Sequence, residues 1–185
     1  MSLLKFKGSS DPRDLEVSMA GLKLGSRVLQ LDGADSELIA ALAGAVGISG
    51  EACAVVENVD QADRFERAMA KAGVLVEVKT AALSALPFDP ETFDVVVASN
   101  VIGKMRMNDR VVCLQQALLV LRLGGRCLII EQAVRGGLGA FLSQRTLDAQ
   151  YLANGGAQGA LKSEGFRGVR LLAEGDGQIF VEGTK

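Results

Sequence analysis

Apolar residues along the chain fall into two alternating patterns. Short, mostly apolar runs at residues 28–31, 52–56, 74–78, 93–98 and 126–130, rich in Val and Ile, read as strands, because a nearly continuous apolar run of this length suits a strand covered on both faces. Between them the apolar positions recur every three or four residues: Leu15, Met19 and Leu22; Leu38, Leu42, Ala45 and Val46; Phe65, Ala68, Met69 and Ala72; Val111, Val112, Leu114, Leu118 and Leu121. That period belongs to helices with one buried stripe. Asp11-Pro12 is a cap followed by proline at the first helical position, which predicts a leading helix over 12–22 that ends before Gly25-Ser26. Ser36 and Asp60 are the expected caps of the next two helices, Gly47 and Gly73 their stops, and a helix over 108–121 runs into Gly124-Gly125.

The C-terminal quarter has another rhythm. Residues 135–160 are rich in Gly, Ala and Gln and hold a weak helical stripe (Leu138, Phe141, Leu142), which suggests a lid or an interface segment. A helix to Glu164, a strand over 166–173, the turn Glu174-Gly175-Asp176-Gly177 and a last strand over 179–182 follow, and two strands joined by so tight a turn must be antiparallel. The whole pattern predicts a three-layer, doubly wound, Rossmann-like α/β fold. Its sheet has seven strands, mostly parallel, with a C-terminal antiparallel hairpin. A leading helix (1–24), a core (25–131), the lid or interface segment (132–160) and a terminal helix with hairpin (161–185) then make one domain.

Composition narrows the function. A chain of 185 residues suffices for one hydrophobic core. The formal net charge of -2 gives no general attraction to nucleic acid or an anionic membrane, so the cluster Lys104, Arg106 and Arg110 reads as solvated surface. A small molecule or a protein is the expected partner. No apolar run approaches the roughly 20 residues of a membrane span, and the first ten residues lack a secretory apolar core, which points to the cytoplasm. Cys53, Cys113 and Cys127 sit widely spaced inside apolar segments and read as small buried hydrophobes; no metal-ligand spacing is present. The chain has no histidine, which removes Ser-His-Asp and Cys-His chemistry.

Several strings, in order, resemble the class I S-adenosylmethionine-dependent methyltransferases, in particular the ubiquinone/menaquinone C-methyltransferase branch. Ser26-Arg27-Val28-Leu29 resembles the entry to the family's first motif, and Leu86-Pro87-Phe88 with Thr92-Phe93-Asp94-Val95-Val96 resembles its "LPF … FD" stretch. Residues 118–125, LLVLRLGG, resemble "RVLKPGG", and Ser163-Glu164-Gly165-Phe166 resembles the "AGF" before the last hairpin. The resemblance implies S-adenosylmethionine as cofactor, held beyond the carboxyl ends of the strands.

The family's first loop reads acid-x-Gly-x-Gly-x-Gly, whereas this chain has Gln30-Leu31-Asp32-Gly33-Ala34-Asp35-Ser36. Read directly, Gln30 stands at the acid and Asp32, Ala34 and Ser36 at the glycines; a shift of one residue makes Asp32 the acid but still fills two glycine positions. Asp35 or Ser36 then serves equally well as an ordinary helix cap. The resemblance implies that Gly33 admits a close backbone approach, that Asp32 or Asp35 meets the cofactor's ammonium, and that Glu57 accepts hydrogen bonds from the ribose. At the acid that contacts adenine it places Ala82. Ser99 ends the fourth strand at the cofactor site, and Asn100 or Tyr151 is a candidate catalytic group near the acceptor.

Two functional expectations follow. In one the domain has lost efficient S-adenosylmethionine binding and serves as a structural or protein-interaction module. In the other it is an active methyltransferase on a small apolar acceptor, with a rebuilt cofactor loop. A nicotinamide-dependent oxidoreductase would need Gly-x-Gly-x-x-Gly after the first strand, where only Gly33 stands.

Overall fold

The computed structural model describes residues 12–32, 35–133, 147–175 and 177–185. Expectations that rest on Asp11, Gly33, Ala34, Asp176 and the stripe Leu138, Phe141 and Leu142 lie outside these. In chain order the elements are α1 (Pro12–Ala20), β1 (Arg27–Leu31), α2 (Ser36–Val46), β2 (Glu51–Val56), α3 (Val59–Ala72), β3 (Glu77–Thr80), β4 (Phe93–Ser99), a 3-10 turn (Ile102–Lys104), α4 (Met107–Val120), β5 (Leu121–Gln132), α5 (Ala149–Ala153), α6 (Gly156–Ser163), β6 (Arg167–Gly175) and β7 (Gln178–Thr184). They form one seven-stranded sheet of order β3-β2-β1-β4-β5-β7-β6. β1 to β5 run parallel, and β7 is antiparallel to both β5 and β6. The expected three-layer α/β fold with a terminal hairpin is therefore the observed one.

Strand alternation divides the core in two. On one face Val28, Ala54, Val97 and Ile130 pack with Leu38, Leu42, Phe65 and Met69 of α2 and α3, and α1 adds Ala20. On the other, Leu29, Leu31, Val96 and Ile129 pack with Cys113, Leu114 and Ala117 of α4, Tyr151 of α5 and Leu161 of α6. The three cysteines lie within these layers and are fully buried.

Some boundaries differ from the sequence reading. The N-cap of α2 is Asp35, whose carboxylate accepts the Leu38 N–H at 3.0 Å; Ser36 is the first helical residue. Asn58 rather than Asp60 caps α3, accepting the Gln61 N–H at 2.9 Å. Gly73 stops α3 in the left-handed conformation, and Val74 N–H then closes on Met69 O at 3.2 Å. This Schellman-like ending keeps Val74 out of the sheet, so β3 starts at Glu77. β5 begins at Leu121, before the expected Arg126, because the pairing with β4 slips between Phe93 and Val95 and absorbs the Gly124-Gly125 kink. Ala72 is exposed.

Arg110 corrects the reading of a solvated basic cluster. It is only 5% exposed, its guanidinium stands 4.7 Å from the centre of the Tyr151 ring, and Nη1 donates to Met105 O at 3.0 Å. A stacked, hydrogen-bonded guanidinium tolerates burial that an unpaired charge would not.

Candidate functional site

The sheet order places β1 beside β4, with the chain winding outward on either side, so the topological switch point lies between their carboxyl ends. The residues that leave these two strands, Asp32 (φ 64) and Asn100 (φ 55), both hold left-handed backbone. For a residue with a Cβ this costs about 1–2 kcal/mol, and Asp and Asn are the types that bear it best.

A cavity of about 320 Å³ opens at this end, lined by Asp32 after β1, Glu57 after β2, Ala82, Leu83 and Ser84 after β3, and Val101, Lys104, Met105 and Asp109 between β4 and the first turn of α4. Asp32 and Glu57, with Ala82, are thus brought together as strand position predicts. Glu57 donates only its backbone N–H, to Gln61 Oε1 at 3.1 Å, and among the described residues no hydrogen bond engages its carboxylate. Three carboxylates and one ammonium make the lining net acidic. The signal for the residues missed in sequence, Lys104, Met105 and Asp109, was topological: the connection after β4 opens at the same end as the other strand exits.

The remaining candidates sit elsewhere. Asp35 spends one carboxylate oxygen on the Leu38 N–H and the other on Arg13 at 2.7 Å. Arg13 also meets Glu16 at 2.6 Å, which ties the start of α1 to the β1–α2 loop. Gln30, 1% exposed, donates from Nε2 to Asp35 O at 2.9 Å, and among the described residues its Oε1 has no hydrogen-bond partner. Ser99 is buried, with Oγ accepting from Asn100 Nδ2 at 3.3 Å; Asn100 Oδ1 accepts the Gln132 N–H at 3.1 Å, bridging β4 to β5. Tyr151 is 2% exposed and donates its hydroxyl to Glu131 at 2.8 Å. Burial pushes the Glu131 carboxyl above the usual range against the hydrogen bonds from Tyr151 and Gly103 and the positive charges of Arg110 and Lys104. Burial and the neighbouring Glu131 raise the Tyr151 phenol, which stays neutral. Another grouping of potential ligand atoms, Glu51, Cys53 and Glu77, lies near the amino ends of β2 and β3, away from the cavity.

A mostly parallel sheet with a cavity across its switch point defines a doubly wound α/β domain. Residues 32–129 match the family described as Methyltransferase domain, and the chain belongs to that family. The ubiquinone/menaquinone biosynthesis C-methyltransferase of Cronobacter sakazakii is 30% identical over 117 residues, covering 62% of this chain and 46% of the relative. That of Pasteurella multocida is 31% identical over 117 residues, covering 62% and 43%. The matched stretch thus spans less than half the length of these curated relatives. An S-adenosylmethionine-dependent methyltransferase from Aquifex aeolicus superposes with a TM-score of 0.76 at 18% identity, over 93% of this chain and 88% of the other. The methyltransferase SibL superposes with a TM-score of 0.74 at 19% identity, over 94% and 54%. These two likenesses show the fold. Among the described residues no helix is long and apolar enough to cross a membrane.

Proposed function

We propose that the chain binds S-adenosylmethionine and its demethylated product in the cavity between Asp32, Glu57 and Ala82, and methylates a small-molecule acceptor there. The observation that carries this reading is the cavity of about 320 Å³ onto which four strand exits converge. The residues present fit such a group: Glu57 offers ribose hydroxyls a carboxylate that no hydrogen bond engages among the described residues, and Asp32 offers negative charge to an ammonium. Ala82 and Leu83 offer apolar surface to adenine. When bound, the cofactor supplies an electrophilic methyl group, and the protein's first task is to hold the acceptor in line with it. Val101 and Met105 shape the facing wall, Lys104 orients a polar group of the acceptor, and Asp109 orients it or takes its proton.

Affinity is expected to be weak. Side chains occupy positions where the family has glycine, and Ala82 has no side-chain acceptor for the adenine amino group. Overpacking of this kind costs about 1–3 kcal/mol per site, or roughly ten- to hundredfold in affinity.

A second reading, a domain without efficient cofactor binding that serves as a structural or protein-interaction module, draws support from Asp35. Both of its carboxylate oxygens are committed, to Leu38 and Arg13, so Asp35 is held without a ligand. Thermal unfolding with S-adenosylhomocysteine separates the two. At about a hundredfold excess over the dissociation constant the first reading requires about 2.7 kcal/mol of added stability, a melting point some 5–10 °C higher. An unchanged melting curve at about 10 mM ligand would leave the second.

A further inference from the structure

Behind the cavity wall lies a buried polar cluster that the reading above does not use. Glu131, near the end of β5, is 3% exposed. Its Oε1 accepts the Gly103 N–H at 2.9 Å and its Oε2 accepts the Tyr151 hydroxyl at 2.8 Å. Asp148 N–H donates to Gly103 O at 2.8 Å, and Arg110, stacked on Tyr151, holds Met105 O and pairs with Asp148 at 3.5 Å. Gly103 admits no side chain, since a Cβ there would stand 2.7 Å from Leu147 Cδ2, 2.8 Å from Glu131 Oε1 and 2.9 Å from Tyr151 Cε1. The 101–105 turn, which supplies Val101, Lys104 and Met105 to the cavity, is therefore gripped from behind by the 147–151 segment.

We propose that Glu131 and Tyr151 are positioning residues of the cavity wall: they hold the 101–105 turn in place, and the protonation state of Glu131 sets how firmly. In its consequence for cofactor affinity this rests on the function proposed above; the state of the wall itself does not.

The chemistry is one of donors and acceptors. An ionised carboxylate accepts from both Gly103 and Tyr151, and the Gly103 N–H can only donate. Protonation at Oε2 reverses the bond with Tyr151 and deprives the phenol hydrogen of its acceptor; protonation at Oε1 sets a proton against the Gly103 N–H. Either way one of the two charge-assisted grips is weakened: the bond to Tyr151 becomes a reversed, neutral one, or the bond from Gly103 is opposed. The groups facing Glu131 are Arg110 from α4, itself paired with Asp148, Lys104 from the turn, and Tyr151 of α5. From the sheet, β7 sets Ile179 opposite Glu131 and β4 sets Ser99 beside Ile130, both uncharged. Burial outweighs the two cations, so the change falls above the usual carboxylate range.

The test is NMR of the full chain, carbon-13 labelled at methionine methyls and without ligand, titrated from about pH 4 to about pH 9. The Met105 methyl is expected to shift with one midpoint above 4.5, the ordinary value of the carboxyl. Glu131→Gln should abolish the shift, and Tyr151→Phe, by removing a donor to the charged form, should move the midpoint upward. A Met105 methyl that does not titrate in the wild type, or titrates unchanged in Glu131→Gln, would overturn the proposal. If Glu131→Gln fails to fold, Tyr151→Phe decides alone, an unmoved midpoint being the contrary result. In parallel, Tyr151→Phe should weaken S-adenosylhomocysteine binding roughly tenfold near neutral pH. A wild type that binds none would overturn the cofactor reading, while the Met105 titration still decides the wall.

Discussion

Three carboxyl side chains near the sheet's carboxyl edge meet different fates, and their neighbours decide which. Glu57 is exposed at the cavity, Asp35 is consumed by a helix cap and Arg13, and Glu131 is buried behind the wall. Glu57→Ala is therefore expected to lower S-adenosylhomocysteine affinity by about tenfold with the melting point unchanged, since only a ligand-facing acceptor is removed. Glu131 titrates above its ordinary 4.5 in the folded chain, so the fold favours its neutral form. Its contribution to stability is complete below that ordinary value and is lost as pH rises through the raised one. The unfolding free energy of the wild type, measured against Glu131→Gln by urea titration, should accordingly fall across that window. Burial also raises the Cys113 thiol to about 12, so the native chain is expected to resist thiol reagents near pH 8 until unfolded. In the sequence, strand-end position was enough to bring Asp32 and Glu57 to one place. It was not enough for Tyr151, because spacing along a chain does not say whether a phenol faces an acceptor or a buried carboxyl.

Among the elements, the central helices and strands follow their apolar periods, and the departures occur where a polar side chain competes for an end. Asp35 caps α2 because its carboxylate reaches both Leu38 and Arg13, and Arg13 stands more than twenty residues earlier in the chain. Asp35→Ala should cost about 1–2 kcal/mol in urea unfolding, more than Ser36→Ala. The early start of β5 depends on a slip in pairing with β4, a property of two strands that neither sequence displays alone. The turn over 102–104 carried no helical or strand pattern, yet it walls the cavity. Gly103→Ala is expected to destabilise the fold by about 1–3 kcal/mol, a fall of some 3–10 °C in melting temperature by calorimetry.

At the scale of the whole molecule the sheet is closed on both sides of its switch point. The leading helix is fastened by the hydrogen bond from Arg126 to Ala20 O and by Gln178 reaching Glu16 at 2.7 Å. The hairpin is fastened by Glu182, 3% exposed, between Arg126 and Arg170. The architecture was legible in the sequence because layer formation rests on apolar patterning and turn residues, which a single chain carries in full. The binding property was not, because the missing glycines of the first loop and the surviving Glu57 point in opposite directions, and only a ligand weighs them. Calorimetric titration of the full chain with S-adenosylhomocysteine is the most direct measurement. The account predicts saturable one-to-one binding, of the order of 0.1 mM, that Glu57→Ala weakens. Absence of any binding heat at millimolar ligand, in a chain whose native fold is verified, would contradict it.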